Sequence, residues 1–211
     1  MVLIYVDDMI TTCSNDSSLQ KFVKRLHCLF ALKDMGNLHH FLGIEVKRDD
    51  TGMYLTQTRY IEELLKKIEM ENTKPCPTPA IVDRKLTLSN RDLLKNPTKY
   101  RSIIGALWYL TNTMPDISFI VNRLNQFMQH PTTTHWQGIK RVLRYLKGTR
   151  NMGIHIKYFA GLTPQSFTDV DYACYSDNRI SIVGYYIYLG DMLVSWSSKK
   201  KIVVSRSSAE S

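Results

Sequence analysis

Apolar positions along the chain change period several times, and each change marks an element. MVLIYV is a short apolar run rich in β-branched and aromatic residues. It stops at Asp7-Asp8 and resumes as MITTC, which predicts two strands around a tight turn. A strand that is apolar on both faces needs neighbours on both sides, so further sequence is expected ahead of Met1. From Ser17 onward Leu19, Phe22, Val23, Leu26, Leu29 and Phe30 recur at helical spacing, with Ser14, Asn15 and Asp16 available as caps. HHFLGIEVKR and GMYLTQ flank Asp49-Asp50-Thr51-Gly52 and predict a hairpin in which Gly52 takes a positive φ. A second helix carries Ile61, Leu64, Leu65 and Ile68 on one face. Glu62 and Glu63 are placed in its first turn and Lys66 and Lys67 follow, an order that suits both the helix dipole and the ion pairs.

The segment 72–97 contains Pro75, Pro77, Pro79 and Pro97 and no sustained period, so it reads as an extended surface linker and a domain boundary. Three helical patterns follow. The first runs from Tyr100 to Thr111. The second opens at Thr113-Met114-Pro115-Asp116, where Pro115 at the first helical position and Asp116 three after Thr113 form a start signal and Ile117, Ile120, Val121, Leu124 and Met128 a buried stripe. The third, His135 to Lys147, turns Ile139, Val142, Leu143 and Leu146 inward and leaves Lys140, Arg141, Arg144 and Lys147 on the outside. Beyond Gly153 the period becomes that of strands: GIHIKYF, QSFTDVDYA, ISIVGYYIYLG and MLVSWSSKK, the last two joined by Gly190-Asp191. Three or four antiparallel strands in sequence are expected, followed by a serine-rich helix start at VVSRSSAES.

Composition narrows the function classes. With 211 residues, 44% of them hydrophobic, the chain can fill the core of one large domain or two small ones. No apolar run approaches the roughly 20 residues that cross a bilayer, and MVLIYVDD lacks the basic start and cleavage site of a secretory signal. An intracellular protein without a membrane span is expected. Cys13, Cys28, Cys76 and Cys174 are widely spaced with no C-x-x-C pair, which argues for free thiols over a zinc site or a disulfide framework. The charge is +9, from 28 Lys plus Arg against 19 Asp plus Glu, and no acidic residue lies between Asp116 and Asp169. A solvated basic surface and a polyanion partner both account for that excess. On the second reading Lys140, Arg141, Arg144, Lys147 and Arg150 contact phosphates, which requires a positive face and no complete catalytic site.

Two adjacent carboxylates at a hairpin tip, Asp7 and Asp8, repel by about 1 kcal/mol in water and by themselves describe a solvated turn. The full string Tyr5-Val6-Asp7-Asp8 between two apolar strands resembles the reverse transcriptase motif, in which a hairpin presents carboxylates to a magnesium pair. Longer strings extend the likeness. FLGIEV, GMYLTQTRYIEELLKK, YRSIIGALWYLTNTMPDIS, HWQGIKRVLRYLKGT and SWSSKKKIVVSRSSAE resemble the Pol polyprotein of copia-type retrotransposons. The resemblance implies an α+β fold in three parts. Residues 1–58 would be a reverse transcriptase palm remnant with primer-grip-like strands at Phe41, Leu42 and Gly43. Residues 59–150 would be a helical thumb and connection containing the Pro-rich linker, and residues 151–211 the first strands of a truncated RNase H-like domain.

Carried over by that resemblance, Asp7 and Asp8 are two of three polymerase carboxylates, the third belonging to an earlier strand. Asp169 is the first metal-binding aspartate of RNase H, with Asp171 on the same face of its strand, and Glu210 sits at the earlier of two glutamates of which the later is the usual ligand. Both Mg²⁺ sites are then incomplete, so weak or absent metal binding is expected. The implied function is a fragment of an RNA-directed DNA polymerase with RNase H, catalytically incomplete on its own. The alternative is a sequence-independent nucleic-acid-binding remnant or a non-functional degenerate copy. RNA, DNA or RNA:DNA hybrid are the implied partners, and association with other Pol fragments stays open. The chain departs from the family's usual strings at Asp171-Tyr172-Ala173-Cys174 and at Arg179, which stands alone where paired arginines are common. The pair His39-His40 has no partner at ligand spacing and reads as surface.

Overall fold

The computed structural model describes residues 1–81, 86, 92–158, 161–171 and 181–200. The chain divides into two units, Met1–Phe41 and Leu42–Ser211. In the first, β1 (Val2–Tyr5) and β2 (Asp8–Thr11) pair antiparallel with Tyr5 opposite Asp8, which leaves Val6-Asp7 as a two-residue loop. Helix α1 (Asp16–Leu29) starts where Asn15 Oδ1 accepts from the backbone N–H groups of Ser17 and Ser18. The short strand β3 (His40–Phe41) closes the unit. The stripe predicted for α1 is present as a face, but none of its residues is buried.

The second unit runs β4 (Ile44–Asp49), β5 (Gly52–Thr56), α2 (Thr58–Lys67), α3 (Pro97–Leu110), a 3-10 turn (Pro115–Ile117), α4 (Ser118–Asn125), α5 (Thr133–Thr149), β6 (Gly153–Lys157), β7 (Pro164–Asp171), β8 (Ile182–Leu189) and β9 (Met192–Lys200). The predicted hairpin is β4–β5, with Asp49 opposite Gly52. Gly52 is needed for close approach: a Cβ there would lie 2.2 Å from the carbonyl oxygen of Ile156. That oxygen belongs to β6, which lines up along β5 from Gly52↔Lys157 to Thr56↔Gly153. The strand read as the first of a C-terminal series thus pairs with β5, about a hundred positions earlier, a partner that local periodicity cannot reveal.

The predicted apolar stripes converge on one core, to which α2 contributes Ile61, Leu64 and Leu65, α3 Tyr100, Ile104 and Leu107, α4 Val121 and Leu124, and α5 Ile139, Val142, Leu143 and Leu146. Burying each such aliphatic side chain is worth roughly 1.5–3 kcal/mol. Met128, expected in the stripe, is only partly buried, and Phe127 takes the inner position. Helix α2 begins at Thr58, so Glu62 and Glu63 fall beyond its first turn, whereas Lys66 and Lys67 do occupy the last. Thr113 does not cap the helix that follows. Its hydroxyl donates to Gln57 Oε1 at 2.7 Å, and the chain enters α4 through the 3-10 turn with Pro115 in first position.

Strands β7, β8 and β9 form the expected antiparallel series, with a bulge at Ile187/Tyr188 and Gly190-Asp191 as the tight loop. The sheet is tied to the helices by Asn122, which donates to the Ser198 carbonyl at 2.9 Å, and by Trp196, whose indole N–H donates to the Thr111 carbonyl at 2.8 Å. The architecture is α+β.

Candidate metal-binding hairpin and basic helix

Asp7 and Asp8 sit at the tip of the β1–β2 hairpin and are exposed. Val6 supplies the first loop position with φ +50°. A positive φ in the first position alone is the pattern of II′ hairpin turns, where glycine is usual. The β8–β9 loop has the same pattern with Gly190 at φ +59°. A β-branched residue in the left-handed region costs on the order of 1–3 kcal/mol, and strain of this kind concentrates at functional sites. The flanking strands hold the loop in register from Val2↔Thr11 to Tyr5↔Asp8. Carboxylate oxygens are the hard donors that suit magnesium, but this hairpin tip offers two residues, Asp7 in the loop and Asp8 at the start of β2. Among the described residues no group of three or more His, Cys, Asp or Glu side chains could hold a metal ion, and His39-His40 belongs to no such group.

Phe41 ends β3, and Leu42 and Gly43 form the turn that follows, with φ of +48° and +72°. A Cβ at Gly43 would come within 3.3 Å of the Tyr109 hydroxyl. Asp169 lies exposed in the middle of β7 opposite Gly184, and its Oδ1 accepts from the N–H of Val170. For Asp171 only its place at the end of β7 is described. Tyr172 to Cys174, Arg179 and Glu210 lie outside the described residues. Cys13, Cys28 and Cys76 are free thiols.

The five predicted phosphate ligands of α5 fall into two environments. Lys140 is exposed. Beside it, the Arg141 guanidinium donates to Thr78 Oγ1 at 2.6 Å and Arg144 Nε donates to the Lys74 carbonyl at 2.7 Å. Lys147 Nζ donates to the Thr73 carbonyl at 2.7 Å, and Cys76 N–H donates back to the Arg144 carbonyl. Three of the cations therefore fasten the Pro-rich segment along the helix. Lys147 and Arg150 share a cleft with Glu62, Glu63 and Glu71, and Arg150 Nε lies 3.7 Å from Glu62. Arg123, from α4, joins Lys140, Arg141 and Arg144 around a cavity.

Two further arrangements escaped sequence reasoning. His135, fully buried, closes a capping box at the start of α5: Thr132 N–H donates to Nδ1 at 3.1 Å, and Thr132 Oγ1 accepts from His135 N–H. The spacing T-x-x-H was a visible signal, because a histidine nitrogen can accept where glutamate usually does. Tyr145 donates to Asp116 Oδ2. Burial, and then the bond to and the charge of Asp116, push the Tyr145 phenol up to about 12. No helix among the described residues is long and apolar enough to cross a membrane.

Residues 1–82 match the family model described as reverse transcriptase (RNA-dependent DNA polymerase). Over 209 residues, 99% of this chain, the sequence is 46% identical to the retrovirus-related Pol polyprotein from transposon RE1 of Arabidopsis thaliana and 44% identical to that from transposon RE2. It spans 14% of the length of each. It is 41% identical to the uncharacterized mitochondrial protein AtMg00810 of the same plant and covers 87% of it. No solved structure matches the chain. Family model and relatives agree on one lineage: the chain belongs to the reverse transcriptase family of copia-type retrotransposon Pol polyproteins.

Proposed function

We propose that this chain is a piece of an RNA-directed DNA polymerase joined to the opening strands of an RNase H domain, and that it is catalytically incomplete by itself. The observation that carries the reading is the exposed Asp7-Asp8 pair at the tip of the hairpin, Asp7 in the strained two-residue loop and Asp8 at the start of β2, held by register-locked strands. Asp169, exposed in the middle of β7, supports the RNase H part, with the β7–β8–β9 series around it. Phosphoryl transfer by a metal pair requires both ions to be clamped against the attacking and leaving oxygens. Asp7 and Asp8 would hold magnesium, which would neutralise phosphate charge there, but two side chains at one hairpin tip leave its coordination shell to water and its position loose. Phe41, Leu42 and Gly43 have the primer-grip-like role in this reading, and the α2–α5 body that of thumb and connection. The test is primer extension on an RNA template, and cleavage of an RNA:DNA hybrid, with magnesium or manganese. Neither product is expected. A product that disappears with Asp7→Ala or Asp169→Ala overturns the proposal.

A second reading is favoured by the acid-free stretch between Asp116 and Asp169 and by the exposure of Lys140: weak, sequence-independent binding to nucleic acid. Its signature is an affinity that falls steeply as salt rises. Lys140 and Arg141 with Arg144 are its strongest contributors, because Lys147 and Arg150 face the carboxylates of Glu62, Glu63 and Glu71.

A further inference from the structure

A cavity of about 370 Å³ lies between the Pro-rich segment and the surface of α4 and α5. Its size falls in the range of sites that enclose a small ligand. Met70, Ala80, Leu86 and Ile120 give it an apolar floor, and its wall carries Arg123, Lys140, Arg141 and Arg144. Among the described residues lining it none is acidic. Four cations around so small a volume repel one another, and an anion placed among them relieves the repulsion. Two of the lining arginines also carry an unpaired donor: the Nε–H groups of Arg123 and Arg141 are buried and make no hydrogen bond. A buried donor left unpaired is costly, and a phosphate oxygen is the acceptor that guanidinium groups bind best. The guanidiniums are already oriented, Arg141 by Thr78, Arg144 by the Lys74 carbonyl and Arg123 by the Phe119 ring, 5.7 Å away. Little side-chain freedom remains to be lost on binding.

We infer that this cavity is a nucleotide pocket that takes one unpaired base of a single strand onto its apolar floor and the adjoining phosphate among Arg123, Lys140, Arg141 and Arg144. The inference rests on the nucleic-acid-binding reading and gives it a place and a substrate form. A duplex keeps its bases stacked inside, so a single strand is the form that can fill the floor and the wall together.

The experiment uses the whole chain and fluorescence anisotropy with labelled oligothymidylate of about twenty nucleotides, longer than a single-domain site, against an abasic strand of the same length. The intact strand is expected to bind roughly five- to tenfold tighter at equal salt, since burial of a base on the apolar floor adds to the phosphate contacts. Lys140→Met and Arg123→Met are each expected to weaken binding of the intact strand and to lower the salt slope by about one. Equal affinity for the intact and abasic strands overturns the pocket while leaving the basic-face reading standing. Unchanged affinity in both variants likewise places the base elsewhere and overturns it. Failure of both strands to bind at low salt overturns the pocket and the basic-face reading together.

Discussion

Asp49 illustrates how one side chain sets a turn. Its Oδ1 accepts from Thr51 N–H at 2.8 Å, Thr51 Oγ1 at 2.7 Å and Gly52 N–H at 3.1 Å, and Thr51 Oγ1 in turn meets His155 Nε2 at 3.2 Å. The hydroxyl of Thr51, and then its backbone N–H, hold the Asp49 carboxyl below its ordinary value of 3.8. A carboxyl whose folded value is depressed stabilises the fold above the ordinary value and loses that contribution as pH falls through the depressed one. The β4–β5 turn should therefore loosen only in acid. Asp49→Asn keeps an acceptor but no charge, and is expected to abolish the acid-dependent change in the NMR resonances of Thr51, Gly52 and Tyr54. The same acid transition in the variant would assign the effect to another group. Asp7 and Asp8 differ from Asp49 in kind, because in their loop the strain falls on Val6 and the carboxylates stay exposed.

Elements built from neighbours in sequence were legible, and elements built from distant partners were not. The stripes of α2, α4 and α5 could be read because a helix face repeats every three or four residues and burial follows the repeat. The YVDD hairpin was legible for the same reason, its loop and both strands lying within eleven residues. The partner of β6, the role of Thr113 and the fate of the α5 cations were not, since Leu55, Gln57 and the carbonyls of Thr73 and Lys74 lie 56 to 99 positions away. Thr113 lends itself to a test. Gln57 is fully buried and its Oε1 takes the Thr113 hydroxyl. Thr113→Val should cost roughly 1–3 kcal/mol, the penalty of a buried acceptor left unpaired, read as a fall in the denaturant midpoint. Pairing it with Gln57→Leu should recover part of the loss, because both polar partners then leave together. Strictly additive losses would return Thr113 to the local capping role that its sequence suggests.

At the scale of the whole molecule, the β7–β9 sheet raises the question of whether it folds with the helices or apart from them. Strand β6 is paired along the β5 edge and is the element before β7 in the chain. Asn122, 6% exposed, and Trp196 cross from α4 and β9 to the opposite element's carbonyls. Lys157 adds an ion pair to Asp191 at 2.9 Å, but an exposed pair of this kind contributes little. Partly buried side-chain bonds to backbone fix one mutual arrangement, so helices and sheet should unfold as one cooperative unit. Tryptophan fluorescence, which reports Trp108, Trp136 and Trp196, and far-ultraviolet circular dichroism are expected to give coincident denaturation curves. Asn122→Ala leaves the Ser198 carbonyl without its donor and should shift both curves together, by roughly 1 kcal/mol in stability. If fluorescence moves to lower denaturant while circular dichroism stays, the sheet is a separate cooperative unit and the helices hold it only as a docked neighbour.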